Sequence, residues 1–200
     1  MPDNLTEPSP QLDPNEILIA EFEYISQTAF QANEDRARVS SYYFITAAAI
    51  VAAMIGVRLE GTVPPGIYFG FFIVFAILGF VGLLTVLQLA RLRLAWAASA
   101  RAMNQIKEYY ESNCSDVELQ HAFAWKTSSI PATDKPSSVA FLLSLSLILV
   151  DSLTMGTAVT YLGLASGASP GDVVWLIIAI IAGIIFAGIQ YRLYFRAVRK

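Results

Sequence analysis

The stretch VPPGIYFGFFIVFAILGFVGLLTVLQLA, residues 63–90, contains no charged side chain. An α-helix rises about 1.5 Å per residue and a bilayer's hydrocarbon core is about 30 Å thick, so roughly 20 such residues cross it. The run is longer than that. It also lacks the strict apolar–polar alternation that marks strands of a membrane barrel. Lipid offers the backbone no hydrogen-bond partners, so a run of this kind satisfies its own amides as a helix. Three further runs share its character, at 39–57, 137–165 and 173–191, the second of these interrupted only by Asp151. The expected fold is all-α: a polytopic membrane protein with four transmembrane helices arranged as two hairpins.

Composition agrees. The chain of 200 residues is 56% hydrophobic and 14% charged, with a mean hydropathy of +0.55, where soluble domains carry roughly 25% charged residues. One cysteine, Cys114, rules out an intramolecular disulfide and fits a reducing compartment. One histidine, His121, and one cysteine do not make a zinc site of the usual ligand types. The net charge of −3 argues against nucleic acid as a partner. No cofactor and no metal are expected. The acidic, proline-bearing start, residues 1–16, has no basic residue, which is unlike a cleaved signal peptide; span one is expected to serve as the insertion signal.

The basic residues fix an expected orientation. Arg36 and Arg38 precede span one. Arg91, Arg93, Arg101, Lys107, Lys126 and Lys135 lie between spans two and three, and Arg192, Arg196, Arg199 and Lys200 follow span four. Only Arg58 falls on the other side, so twelve of thirteen share one face. The positive-inside rule makes that face cytoplasmic, with both termini on it, in a cell (inner) membrane. Residues 1–12 read as a disordered tail. Residues 13–113 read as an amphipathic helix, a first hairpin (39–58 and 66–90) and a cytoplasmic helix. Residues 114–136 read as a short helix, started by Ser115 and Glu118, and a linker containing Pro131 and Pro136. Residues 137–200 read as a second hairpin (138–165 and 173–191) with a basic tail.

Asp13 and Pro14 supply a cap and a first helical position. Leu18, Phe22, Ile25, Ala29 and Ala32 then follow a helical stripe. Leu89, Leu92, Trp96, Ser99, Met103, Ile106 and Tyr110 keep the three–four alternation of a coiled-coil seam. A membrane hairpin brings the two stripes side by side, predicting a cytoplasmic antiparallel two-helix stalk. Within the spans, Ala48, Ala52 and Gly56, then Gly66, Gly70, Ala76, Gly79 and Gly82, then Ala179, Gly183 and Ala187 form small-residue stripes expected to pack inside the bundle.

Asp151 is the one charged residue inside a span. A carboxylate at the bilayer centre costs about 2.5–3.5 kcal/mol on insertion scales, so it needs a proton, a hydrogen-bond partner or water. Ser144, Thr154, Ala158 and Tyr161 fall on or near its face. Asp151, Ser144, Thr154 and Tyr161 therefore form the candidate intramembrane polar site. A structural interhelical hydrogen bond and an ion or proton path both need such a site. The discriminating feature is whether Asp151 faces a wet cavity or is sealed against neighbours. Other spans offer few polar side chains, among them Thr46, Thr85, Gln88 and Gln190. Nucleophile elbows, phosphate loops and ligand clusters are missing, and no enzymatic activity is expected. Arg91, Arg93 and Arg101 read as topological anchors.

EFEYISQTAFQANEDRARVSSYYF, residues 21–44, together with RAMNQIKEYY, residues 101–110, resembles segments of small bacterial integral membrane proteins. The first half, with one helix before two spans and one after, also resembles the SLATT-type membrane hairpin in layout. That resemblance implies a membrane effector role and carries no residue motif. The reading is a non-enzymatic interaction or accessory subunit, with the lipid bilayer and a partner membrane protein or second copy as partners. The alternative is a small channel, transporter or pore-forming effector centred on Asp151.

Overall fold

The computed structural model describes residues 13–58, 64–113, 123 and 125–199. Four long helices account for most of them: α1 (Pro14–Arg58), α2 (Pro65–Asn113), α3 (Val139–Ala165) and α4 (Val173–Val198). Each is long and apolar enough to cross a membrane. No strand occurs among the described residues. The protein is an all-α, multi-pass membrane type. Cys114, Ser115, Glu118, His121, Glu60 and Lys200 lie outside the described residues.

The helix boundaries follow from local chemistry. α1 starts at Pro14, whose fixed φ suits a first helical position. The Asp13 carboxylate accepts from Asn15 N at 2.9 Å. No proline or glycine interrupts the chain up to residue 55, and α1 runs unbroken for 45 residues. Likewise α2 runs for 49 residues, from membrane-type sequence into polar sequence without a break. The Ser138 side chain caps α3 by accepting from Phe141 N, and Asp172 caps α4 by accepting from Val174 N. Between them, α3 ends in a Schellman turn: Ala168 N donates to Gly163 O and Gly167 N donates to Leu164 O. Gly167 takes φ +93° there, a conformation that glycine reaches without a Cβ clash.

The chain divides into two compact units. One comprises Met1–Gln31 and Trp96–Ile130. Its described part pairs the start of α1 with the end of α2. Ile25 and Ala29 are buried, and Leu18 and Phe22 are half-buried, so the predicted α1 stripe faces inward. The Lys107 ammonium lies 5.8 Å from the Phe22 ring and 5.8 Å from the Phe123 ring. On the part of α2 in this unit the most buried positions are Ala97, Ser99 and Asn104. Met103, Ile106 and Tyr110 are only half-buried. The inward face thus takes in Ser99 of the predicted seam and adds Ala97 and Asn104, each one residue round from a seam position.

The other unit comprises Ala32–Ala95 and Pro131–Lys200 and contains parts of all four helices. Its core is built from Tyr43, Phe75, Leu78, Val86, Leu89, Leu147, Ile148, Ala158, Tyr161 and Tyr194. α3 and α4 approach backbone to backbone. A Cβ added at Gly183 would lie 2.9 Å from Ser152 O, and one at Gly156 would lie 3.1 Å from Ala179 O. The span-four stripe packs as expected, since hairpin helices in lipid associate through small residues. The span-one stripe does not: Ala48, Ala52 and Gly56 are all exposed, because α1 turns Tyr43 and Ala47 inward instead. On α4, Ile177, Ile180, Ile181, Ile184 and Ile185 point outward, a surface suited to lipid.

Candidate functional site

Asp151 sits near the middle of α3 and is 0% exposed. Its carboxylate is held from two sides. Tyr43 of α1 donates its hydroxyl to Oδ1 at 2.7 Å, and Gln190 of α4 donates Nε2 to Oδ2 at 2.7 Å. The third neighbour is Gly82 of α2. A Cβ there would stand 2.2 Å from the Asp151 Cγ, so the carboxyl group occupies the space a side chain at position 82 would take. One side chain therefore touches all three other helices of its unit. Donors on both oxygens offset the cost of taking a carboxyl group out of water.

The remaining predicted residues share this interior face, and Thr154 lies within side-chain hydrogen-bonding reach of the Tyr43 hydroxyl. Ser144, 1% exposed, donates to Ala140 O at 2.9 Å within its own helix. Thr154 does the same with Val150 O at 3.0 Å. Tyr161 is buried, directs its hydroxyl to the Met54 sulfur of α1, and stacks on Phe75 with ring centroids 5.8 Å apart. Serine and threonine in helices commonly bond back to the preceding turn, which occupies their hydroxyl protons. Two apolar grooves of about 570 and 590 Å³ flank the unit. Thr154 lines the first, and Asp151 lines neither. Asp151 is thus sealed. Next to it, Gln190 Oε1 is buried without a hydrogen-bond partner.

A second polar centre lies at the end of α2's apolar run. Arg93 is 5% exposed. Its Nη1 donates to Ser138 Oγ at 2.6 Å and to Tyr194 Oη at 3.3 Å, and its Nη2 to Ala132 O at 3.1 Å and Lys135 O at 3.4 Å. The 131–138 linker is therefore folded onto the unit. Thr133 Oγ1 donates to Val198 O at 2.9 Å, and Arg199 pairs with Asp134 at 3.4 Å, which fastens the same linker to the end of α4. No group of three or more metal-ligating side chains occurs among the described residues.

Asp151 and its face were legible as a charge inside an apolar run. Tyr43, Gly82, Gln190 and buried Arg93 were not. Tyr43 stands between Tyr42 and Phe44, and nothing in that run singles it out. Gln190 stands beside the basic end of α4, and Arg93 carries the same charge signal as exposed Arg91. Compared with known protein families, curated proteins and solved structures, the chain matches none.

Proposed function

We propose that this protein is a non-enzymatic membrane-embedded interaction or accessory subunit, set in a bacterial inner membrane with both termini on the cytoplasmic side. Asp151 is a structural clasp in this reading. The observation that carries it is the sealing of Asp151, with both carboxylate oxygens occupied by Tyr43 and Gln190 and a glycine backed against it. A conduction path needs polar groups continuous from one face to the other. Here the hydroxyls above and below bond their own helices. A role in binding other proteins draws support from the start of α1. Ile17 and Tyr24 are exposed on one flank of its buried stripe, and Ile19 and Phe30 on the other, all outside the apolar span.

One observation favours a second reading, an ion- or proton-linked role: Gln190 Oε1 is a buried acceptor with no donor, beside a carboxyl group. Flux in proteoliposomes separates the two. The accessory reading expects no proton or cation flux from correctly inserted wild-type protein. Flux in wild type that falls in Asp151→Asn overturns it. A photo-crosslinking residue placed at Tyr24 in growing cells is expected to give a discrete heavier adduct, and its absence counts against an interaction role.

A further inference from the structure

The groove of about 590 Å³ lies between α3 and α4 on the outside of their hairpin. Gly156, Ala179 and Gly183 line it, so the two backbones meet there and no large side chain fills the space between them. Exposed Ile180 and Ile184 stand along it. The Thr157 and Thr160 hydroxyls donate to Leu153 O at 2.8 Å and Gly156 O at 3.1 Å in their own helix, which leaves the walls apolar. A second cavity, of about 260 Å³, lies under the turn that joins the two helices. Thr160 and Leu176 line both, so the two adjoin. From Asp172 to Gly183 the joined groove follows α4 for about 16 Å, close to the depth of one leaflet, half of a hydrocarbon core about 30 Å thick.

The mouth of this groove has one sign of charge. Asp172 and Trp175 both line the end cavity, and both are only half-buried. Asp172 accepts from Val174 N through Oδ1 at 2.9 Å and joins no ion pair among the described residues. The Trp175 ring lies against Gly163, where an added Cβ would stand 2.5 Å from it, so the indole is fixed beside the mouth. The loop 166–172 contains no Lys or Arg. A carboxylate and an indole with no cation among them complement an ammonium group and repel a net anion. We propose that this groove binds a phospholipid with a primary-ammonium headgroup, phosphatidylethanolamine. One acyl chain lies between α3 and α4, and the ammonium sits between the Asp172 carboxylate and the Trp175 ring. A primary ammonium donates N–H bonds to the carboxylate as well as facing the ring, whereas a quaternary one has no N–H to give.

The test uses the full chain in maltoside micelles, with phosphatidylethanolamine, phosphatidylcholine or phosphatidylglycerol added in separate arms. Retained lipid by native mass spectrometry and the unfolding midpoint are the readouts. Asp172→Asn removes the charge and keeps the cap, since asparagine caps a helix as well as aspartate. Thr160→Phe fills the junction of the two cavities, and Ile45→Phe adds bulk at an exposed site on α1 that lines neither. Wild type and Ile45→Phe are expected to retain phosphatidylethanolamine over both other lipids and to gain stability from it. Asp172→Asn is expected to lose about fivefold in affinity for phosphatidylethanolamine, the scale of one charge at a membrane surface, and with it the preference over phosphatidylcholine. Thr160→Phe is expected to lose both of these lipids. Phosphatidylethanolamine held no better than the other two, or a preference that survives Asp172→Asn, overturns the proposal. So does a lipid-free dimer that Thr160→Phe splits, which would give the groove to a second copy of the chain.

Discussion

At the scale of single residues, Asp151 is valued for two acceptor oxygens more than for its charge. Asparagine at 151 keeps one oxygen for the Tyr43 hydroxyl. Its amide nitrogen faces Gln190, whose own amide turns to accept through Oε1, the atom now without a partner. Leucine offers neither and leaves two buried donors unpaired, at about 1–3 kcal/mol each. Asp151→Asn should therefore unfold in detergent close to wild type, and Asp151→Leu at a clearly lower midpoint. Equal loss in both would show that the carboxyl group's charge, not its acceptors, is what the bundle needs. The same contrast explains what was readable beforehand. A carboxyl group in an apolar run announces itself. A tyrosine and a glutamine become its partners only through the rotation of α1 and α4, and that rotation is set by packing that no single helix encodes.

At the scale of elements, the ends were readable and the facings less so. Asp13–Pro14, Ser138 and Asp172 carry capping chemistry in one or two residues, and each helix begins where that chemistry sits. Small-residue stripes were ambiguous, because a glycine in a span marks close contact only if a neighbour arrives. Gly183 meets the Ser152 carbonyl, whereas Gly188, on the same helix, has nothing within 4 Å of an added Cβ. Gly183→Ala should destabilise the α3–α4 pairing by about 1–3 kcal/mol, since backbone must shift to admit the methyl group. Gly188→Ala should be neutral or slightly stabilising, because alanine is the better helix former by about 1 kcal/mol. Denaturation of each variant in mixed micelles checks the pair, and a larger loss at 188 would place α4 in a different rotation.

At the scale of the whole molecule, the charge asymmetry predicts that residues 127–138 and the turn after α3 lie on opposite sides of the membrane. With Cys114 replaced by serine, a cysteine at Ser169 should react with an impermeant maleimide added outside the cell. One at Ser129 should react only after permeabilisation, and the reverse pattern would invert the orientation. The docked linker has a further consequence, for biogenesis. Arg93 is synthesised well before Ala132, Lys135, Ser138 and Tyr194, the groups that satisfy it, and Tyr43 well before Asp151. The first hairpin thus enters the bilayer with its polar groups unmatched and acquires their partners only when the second is inserted. A chain halted between the hairpins would leave an arginine and a tyrosine unclaimed at the membrane, the kind of lesion by which quality-control proteases tell an unfinished protein from a finished one.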